Sequence, residues 1–165
     1  MSHKKWFAIY TRPRFEKRVE KYLRAKNICC YLPLQTTFRQ WSDRKKKVEL
    51  PLFASYVFVK TSKSEYLDVL NVPGVVRYVS FDGVAVEIPE NQIEKIKWIL
   101  SSDIVSGVVL EKIAEGSVVE IIKGPLMGLR AELVTYKNKS RIIVRMEQLE
   151  KLIEIDVPIS HVKTI

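Results

Sequence analysis

The sequence predicts an α+β chain in two parts: a βαβ-type antiparallel sheet with helices over residues 1–101, then a small five-stranded β-barrel over 113–165, joined by a linker at 102–112. Two observations carry this. Strand-type runs alternate with amphipathic helical stretches as far as Leu100, and only β-type runs follow. Over the 165 residues, 47% are hydrophobic and 28% charged, enough apolar material for packed cores and too much for disorder.

The first part reads as follows. Lys5–Tyr10 is a strand by residue type, and Thr11-Arg12-Pro13 ends it with proline where a first helical turn tolerates one. From Arg14 to about Lys26, Phe15, Val19, Tyr22 and Leu23 form one apolar helical face, with Asn27 suited to the cap beyond it. Strand-like Ile28–Phe38 follows. The runs Gln35–Trp41 and Val48–Leu50 flank Ser42–Lys47, which predicts a hairpin with an exposed basic tip. Ser55–Lys60, nearly all β-branched or aromatic, predicts a central strand. Ser62-Lys63-Ser64-Glu65 matches a capping box for a short helix through Leu70. Val75–Phe81 and Val84–Glu87 flank an Asp82-Gly83 turn, and Pro89 opens a third helix with Ile93, Ile96 and Leu100 on its apolar face.

In the second part Ser117–Ile122, Leu129–Thr135, Arg141–Met146 and Leu152–Val157 are β-type runs between turn residues, and Val162–Ile165 adds a fifth. Five short strands in some fifty residues predict a small barrel.

Charge has one address. Residues 1–47 hold 14 of the 28 basic residues and three of the 19 acids, a balance of +11, while the rest of the chain is −2. An acidic partner is expected at the N-terminal part. Cys29 and Cys30 are adjacent, a spacing that fits neither an ordinary disulfide nor a metal site, so no metal is expected. No phosphate loop or paired-carboxylate constellation appears, so neither an enzyme nor a cofactor is expected. No apolar run approaches the ~18 residues of a membrane span and no signal-peptide core is present; a cytoplasmic protein without membrane partners is expected.

Three stretches carry a family resemblance: Trp6-Phe7-Ala8-Ile9-Tyr10-Thr11-Arg12-Pro13-Arg14-Phe15-Glu16-Lys17; Leu52–Val59 with Val72-Pro73-Gly74-Val75 beyond it; and Gly116–Gly128. In this order and spacing they resemble the NusG family of transcription elongation factors over essentially the whole chain. The first two are similar to its N-terminal (NGN) domain and the third to its KOW motif, which implies an SH3-like barrel at 113–165. The family often has Pro-Gly where this chain has Ala54-Ser55, and often a glycine near Ala131. Gln40–Lys47 instead looks like the specialised paralogues of the UpxY type, similar in role to RfaH and associated with polysaccharide operons.

The resemblance implies an elongation and antitermination factor that docks an aromatic face on the coiled coil of the RNA polymerase clamp. That face would include Tyr10, Tyr56, Phe58, Tyr78 and Phe81. It further implies contact of the basic region, Arg12, Arg14, Arg18 and Lys21 with Arg44 and Lys45 at the hairpin tip, with the non-template DNA strand of the transcription bubble. Gly124 and Gly128 are read as turn positions of the KOW segment needing positive φ or close approach. The family's barrel recruits termination factor Rho or a ribosomal small-subunit protein. A housekeeping NusG-like factor and a free-standing RNA-binding or ribosome-associated KOW protein stand as alternatives.

Overall fold

A computed structural model describes residues 3–102, 104–109 and 114–165 of the chain. They fall into two compact units, one ending at Glu94 and the other beginning at Lys95.

The first unit contains β1 (Lys5–Thr11), α1 (Glu16–Ala25), β2 (Cys29–Tyr31), β3 (Leu34–Gln40), β4 (Lys45–Pro51), β5 (Tyr56–Thr61), α2 (Tyr66–Leu70), β6 (Val75–Tyr78), β7 (Ser80–Phe81), β8 (Val84–Ala85) and β9 (Glu87–Ile88), and α3 (Glu90–Leu100) starts in it. The main sheet runs β2-β5-β1-β6, with β9 also on β1, and every pairing is antiparallel. The strands β3 and β4 form a separate two-stranded sheet, as do β7 and β8.

Local chemistry explains the boundaries. α1 starts two residues later than its periodicity predicts, because Arg14 takes a left-handed conformation (φ 64°) and the Phe15 N–H donates to the Arg12 carbonyl at 3.1 Å. At its other end Asn27 has φ 58°, the Asn27 N–H donates to Arg24 O and the Ile28 N–H to Leu23 O. This is a Schellman motif, with asparagine in the place the sequence gives it. The continuous run expected over Ile28–Phe38 is broken at Leu32-Pro33, where proline has no N–H for a ladder and restrains the residue before it. Before α2, the Glu65 carboxylate accepts the Ser62 N–H at 3.0 Å, the reach-back half of a capping box, while the Ser62 hydroxyl contacts Ser64 and Glu65 instead. Asp82 and Gly83, at φ 50° and 77°, join β7 to β8 with the backbone that a two-residue hairpin needs.

The core of this unit lies on one face of the main sheet, where Ile9, Val57, Val59 and Tyr78 pack with Val19 and Leu23 of α1 and Val69 of α2. The strand period of two puts Trp6, Ala8, Tyr10, Tyr56 and Phe58 on the opposite face. Cys29 is exposed and Cys30 half-buried, with burial pushing the Cys30 thiol up to about 11. Both are free thiols in a strand; the sequence reading of buried or half-buried thiols holds for Cys30 and not for Cys29, which is exposed.

The second unit is a six-stranded antiparallel sheet in the order β10 (Val105–Val109), β14 (Lys151–Ile155), β13 (Lys139–Met146), β12 (Arg130–Tyr136), β11 (Ser117–Ile121), β15 (Val162–Thr164). The strands β11–β15 occupy the five predicted runs, and β10 falls within 102–112, pairing with β14. Positions 103 and 110–112 of that expected linker lie outside the described residues. Consecutive Ile142, Ile143 and Val144 are all buried, so β13 is covered on both faces.

Across two strands of this sheet, Arg145 donates to both carboxylate oxygens of Glu132, Nε to Oε1 at 2.8 Å and Nη2 to Oε2 at 3.0 Å, while the Gly116 N–H reaches Oε2 at 3.2 Å. The Arg145 hydrogen bond is the main cause holding the Glu132 carboxyl below its ordinary value of 4.5; burial opposes it and the Gly116 N–H adds to it. A carboxyl with a depressed folded pKa contributes stability above its unfolded value, and that contribution is lost as pH falls through the folded value. Unfolding followed between pH 7 and pH 2 should therefore show an acid-sensitive component below pH ~4.5. Glu132→Gln should remove it, and an unchanged acid limb would count against the pair.

Candidate functional site: an aromatic sheet face and a cationic rim

On the face of the main sheet opposite the helical core, β1 and β5 place Tyr10 directly beside Tyr56. Their rings are 4.7 Å apart at 54°, and the Tyr56 hydroxyl lies 3.1 Å from that of Tyr10, to which it donates. From β6, Arg77 pairs across the strand with Tyr10 and sets its guanidinium 4.8 Å from the ring centroid. A cation over a tyrosine face contributes about 0.5–1 kcal/mol at an exposed site. Behind the pair lies Phe58, fully buried, with Tyr31 stacked at 6.3 Å and Phe53 edge-on at 6.1 Å. Burial pushes the Tyr31 hydroxyl up to about 12.

Three of the five aromatics expected on a docking face, Tyr56, Phe58 and Tyr78, are buried. Phe58 has no exposed surface. Tyr78 is opposite Ile9 in register, so it points to the helical side of the sheet. It is 3% exposed, lies flat on Tyr66 at 4.1 Å, and donates its hydroxyl to the Tyr66 carbonyl at 3.3 Å. Burial pushes that hydroxyl up to about 12. Phe81 has the opposite character, 75% exposed on the β7–β8 ribbon and outside the main sheet. Tyr10, half-buried, and Tyr56, 8% exposed, remain as the aromatic pair of the sheet face.

The predicted cations are all exposed, but on different elements. Arg12 and Arg14 sit on the β1–α1 turn, held where the Arg12 N–H donates to the Gly74 carbonyl at 2.8 Å. Arg18 and Lys21 are one turn apart on α1, and the Arg18 guanidinium lies 5.2 Å from the Phe15 ring centroid. The hairpin ladder continues to Gln40 opposite Lys45, so the tip is Trp41–Arg44, and Lys45 belongs to β4 rather than to the tip. Beside this rim Glu16 is buried, and its carboxylate accepts the Ser55 N–H at 2.7 Å. Ser55 takes φ 65°, the left-handed conformation for which glycine has no steric cost.

In the second unit Gly124 and Gly128 have φ 89° and 91°, and a Cβ at either would meet nothing within 4 Å. Backbone conformation, not close approach, explains both glycines. The Gly128 N–H donates to Ile121 O at 2.7 Å and the Trp98 indole to Pro125 O at 3.2 Å, which closes the turn over buried Leu126.

The family model described as "Transcription termination factor nusG" matches residues 4–97. The chain belongs to the NusG family. Transcription termination/antitermination proteins NusG of Streptococcus pyogenes serotypes M3 and M1 are each 27% identical to it over 169 residues, covering 93% of this chain and 93% of theirs. The fold is similar to that in the structure of domain interaction in Thermotoga maritima NusG, with a TM-score of 0.58 at 22% identity over 98% of this chain and 97% of that one. The protein is thus a member of a family of transcription termination and antitermination factors. No helix among the described residues is long and apolar enough to cross a membrane. No group of three or more His, Cys, Asp or Glu among them is placed to hold a metal ion.

Sequence reasoning missed three partners in this NusG-family site. Arg77 over Tyr10 follows from strand register, which residue type alone does not give. Glu16 against Ser55 joins residues 39 apart. The Lys17 ammonium donates to Glu49 O at 2.9 Å, linking α1 to β4, and only the three-dimensional path of the hairpin brings them together.

Proposed function

We propose that this NusG-family chain is a specialised elongation and antitermination factor of the UpxY/RfaH type, serving a long polysaccharide-type operon from the cytoplasm and catalysing no reaction. The observation that carries this reading is the Tyr10–Tyr56 pair with Arg77 on a sheet face turned away from the helical core. Aromatic anchors with a polar tip, rimmed by arginine, are what protein interfaces enrich, and the clamp coiled coil of RNA polymerase is the partner the family resemblance gives. Exposed Arg12, Arg14, Arg18 and Lys21 supply contacts to the phosphates of the non-template strand. The strands β11–β15 are the KOW domain, an SH3-like barrel that recruits Rho or a ribosomal small-subunit protein. The Gln40–Lys47 segment supports the specialised over the housekeeping role.

Bridging the clamp and the bubble acts as a population shift. A ligand moves an equilibrium by its differential affinity for the two states, and about 1.4 kcal/mol of preference for the active state changes a pause equilibrium tenfold. Small gains at successive pauses compound along a long operon.

Single-round transcription over a long template tests this. The protein should shorten pause lifetimes and raise terminator readthrough; equal values with and without bound protein would leave a passive polymerase ligand. In the same assay Arg12→Ala with Arg18→Ala should lower crosslinking to the non-template strand and reduce the salt slope by about 0.7 per lost phosphate contact. Polymerase docking should persist. Crosslinks that survive in the double variant would make the basic rim a solvated surface.

A further inference from the structure

We propose that the β3–β4 hairpin is a duplex-DNA anchor that enters the major groove. Each strand has seven residues, about 23 Å of extended chain, and the two pair only with each other. Register divides their side chains between two faces. Arg39 stands directly opposite Lys46 on one face, with the Lys46 ammonium 5.7 Å from the Trp41 ring centroid. On the other, Lys47 stands opposite Phe38 and Lys45 opposite Gln40. Both aromatics are open to solvent, Phe38 at 69% and Trp41 at 56%.

The ribbon is built against its own stability. Like charges directly opposed across strands are destabilising, and a two-stranded hairpin alone is marginal in water. Among the described residues no ion pair is made to Arg39, Arg44, Lys45, Lys46 or Lys47. An anionic ligand removes that repulsion.

Which nucleic acid fits follows from the two-sided distribution. A single strand tracked by a stacking platform needs cations and aromatics on one face. A ribbon inside a groove has a phosphate wall on each side, and B-DNA's major groove, about 12 Å wide, admits a two-stranded ribbon. The deep, narrow major groove of A-form RNA does not admit side chains. Along the tip-side half of the ribbon, an open cleft of about 580 Å³ is lined by Lys17, Arg39, Trp41, Lys46, Lys47 and the single acid Glu49, and the Lys17 bond to the Glu49 carbonyl ties the ribbon to α1. The cleft offers room for the sugar-phosphate backbone of one wall.

The inference rests on the nucleic-acid part of the reading above and goes further by naming duplex DNA and a groove. It is tested without polymerase, by fluorescence anisotropy of the full chain with a labelled 20-bp DNA duplex, the matching RNA duplex and the single strand, at 50–200 mM salt. The DNA duplex should bind tightest. Arg39→Gln with Lys46→Gln, and separately Lys45→Gln with Lys47→Gln, should each reduce the salt slope by about 1.8, or 0.9 per phosphate released. Circular dichroism confirms that both variants fold. A slope moved by one pair alone means one-sided contact and overturns groove insertion, as does tighter binding of RNA or single strand, or no duplex binding at 50 mM salt. If neither pair moves the slope while DNA still binds, the hairpin anchor falls and the Arg12–Arg18 rim stands.

Discussion

Phe58→Ala should lower the stability of the first unit by about 3–5 kcal/mol, the usual cost of deleting a buried phenylalanine. The side chain has no exposed surface, and Tyr31 and Phe53 pack its ring on β5, which lies between β2 and β1. Tyr31 cannot fully collapse into the space because β2, which carries it, is fixed to β5 by its backbone ladder. Chemical denaturation followed by circular dichroism should show the loss. A variant that keeps its stability yet loses polymerase would return Phe58 to the docking face.

Tyr10→Ala should weaken binding to core RNA polymerase by about 2 kcal/mol, roughly 30-fold, if Tyr10 anchors the clamp contact. Tyr10 separates binding from folding better than Tyr56 does. Tyr56 is 8% exposed, so its truncation mixes a core cavity with a lost contact, whereas Tyr10 is half-buried and its ring already meets a cation at the surface. Biolayer interferometry on immobilised polymerase reads the affinity, and a thermal melt reads the fold. Equal affinity with an unchanged melt would remove Tyr10 from the contact.

Elements with strong local determinants were legible in the sequence. The Schellman turn at Asn27, the Asp82-Gly83 hairpin and the five β-runs after Gly116 each depend on residues within a few positions of one another. The aromatic face was legible only by composition. Tyrosine and phenylalanine on β-strands look alike in sequence, and one step of register decides which side of the sheet they occupy: Arg77 faces Tyr10, while Tyr78 joins Ile9 in the core. The late start of α1 was hidden for a related reason, since Arg14 adopts a left-handed conformation that its residue type does not favour. Opposed cations on the hairpin likewise become visible only once Arg39 is matched with Lys46.

The position of β1 has a consequence for biosynthesis. The strand β1 lies in the interior of the main sheet and is made before each of its partners, of which Ile88, opposite Trp6, is among the last residues of that sheet to be translated. At ~5–20 residues per second the ribosome needs about 4–16 s to cover that interval. Until β5 is made, Trp6-Phe7-Ala8-Ile9 is an apolar strand with both edges unpaired, and the edge at Trp6-Phe7 that β9 covers stays open to the end of the interval, the kind of segment that chaperones bind and that nucleates aggregation. Loop closure over so long a span also slows folding after release. Expression yield for this chain should therefore depend on translation speed between Tyr10 and Ile88 more than on codons elsewhere.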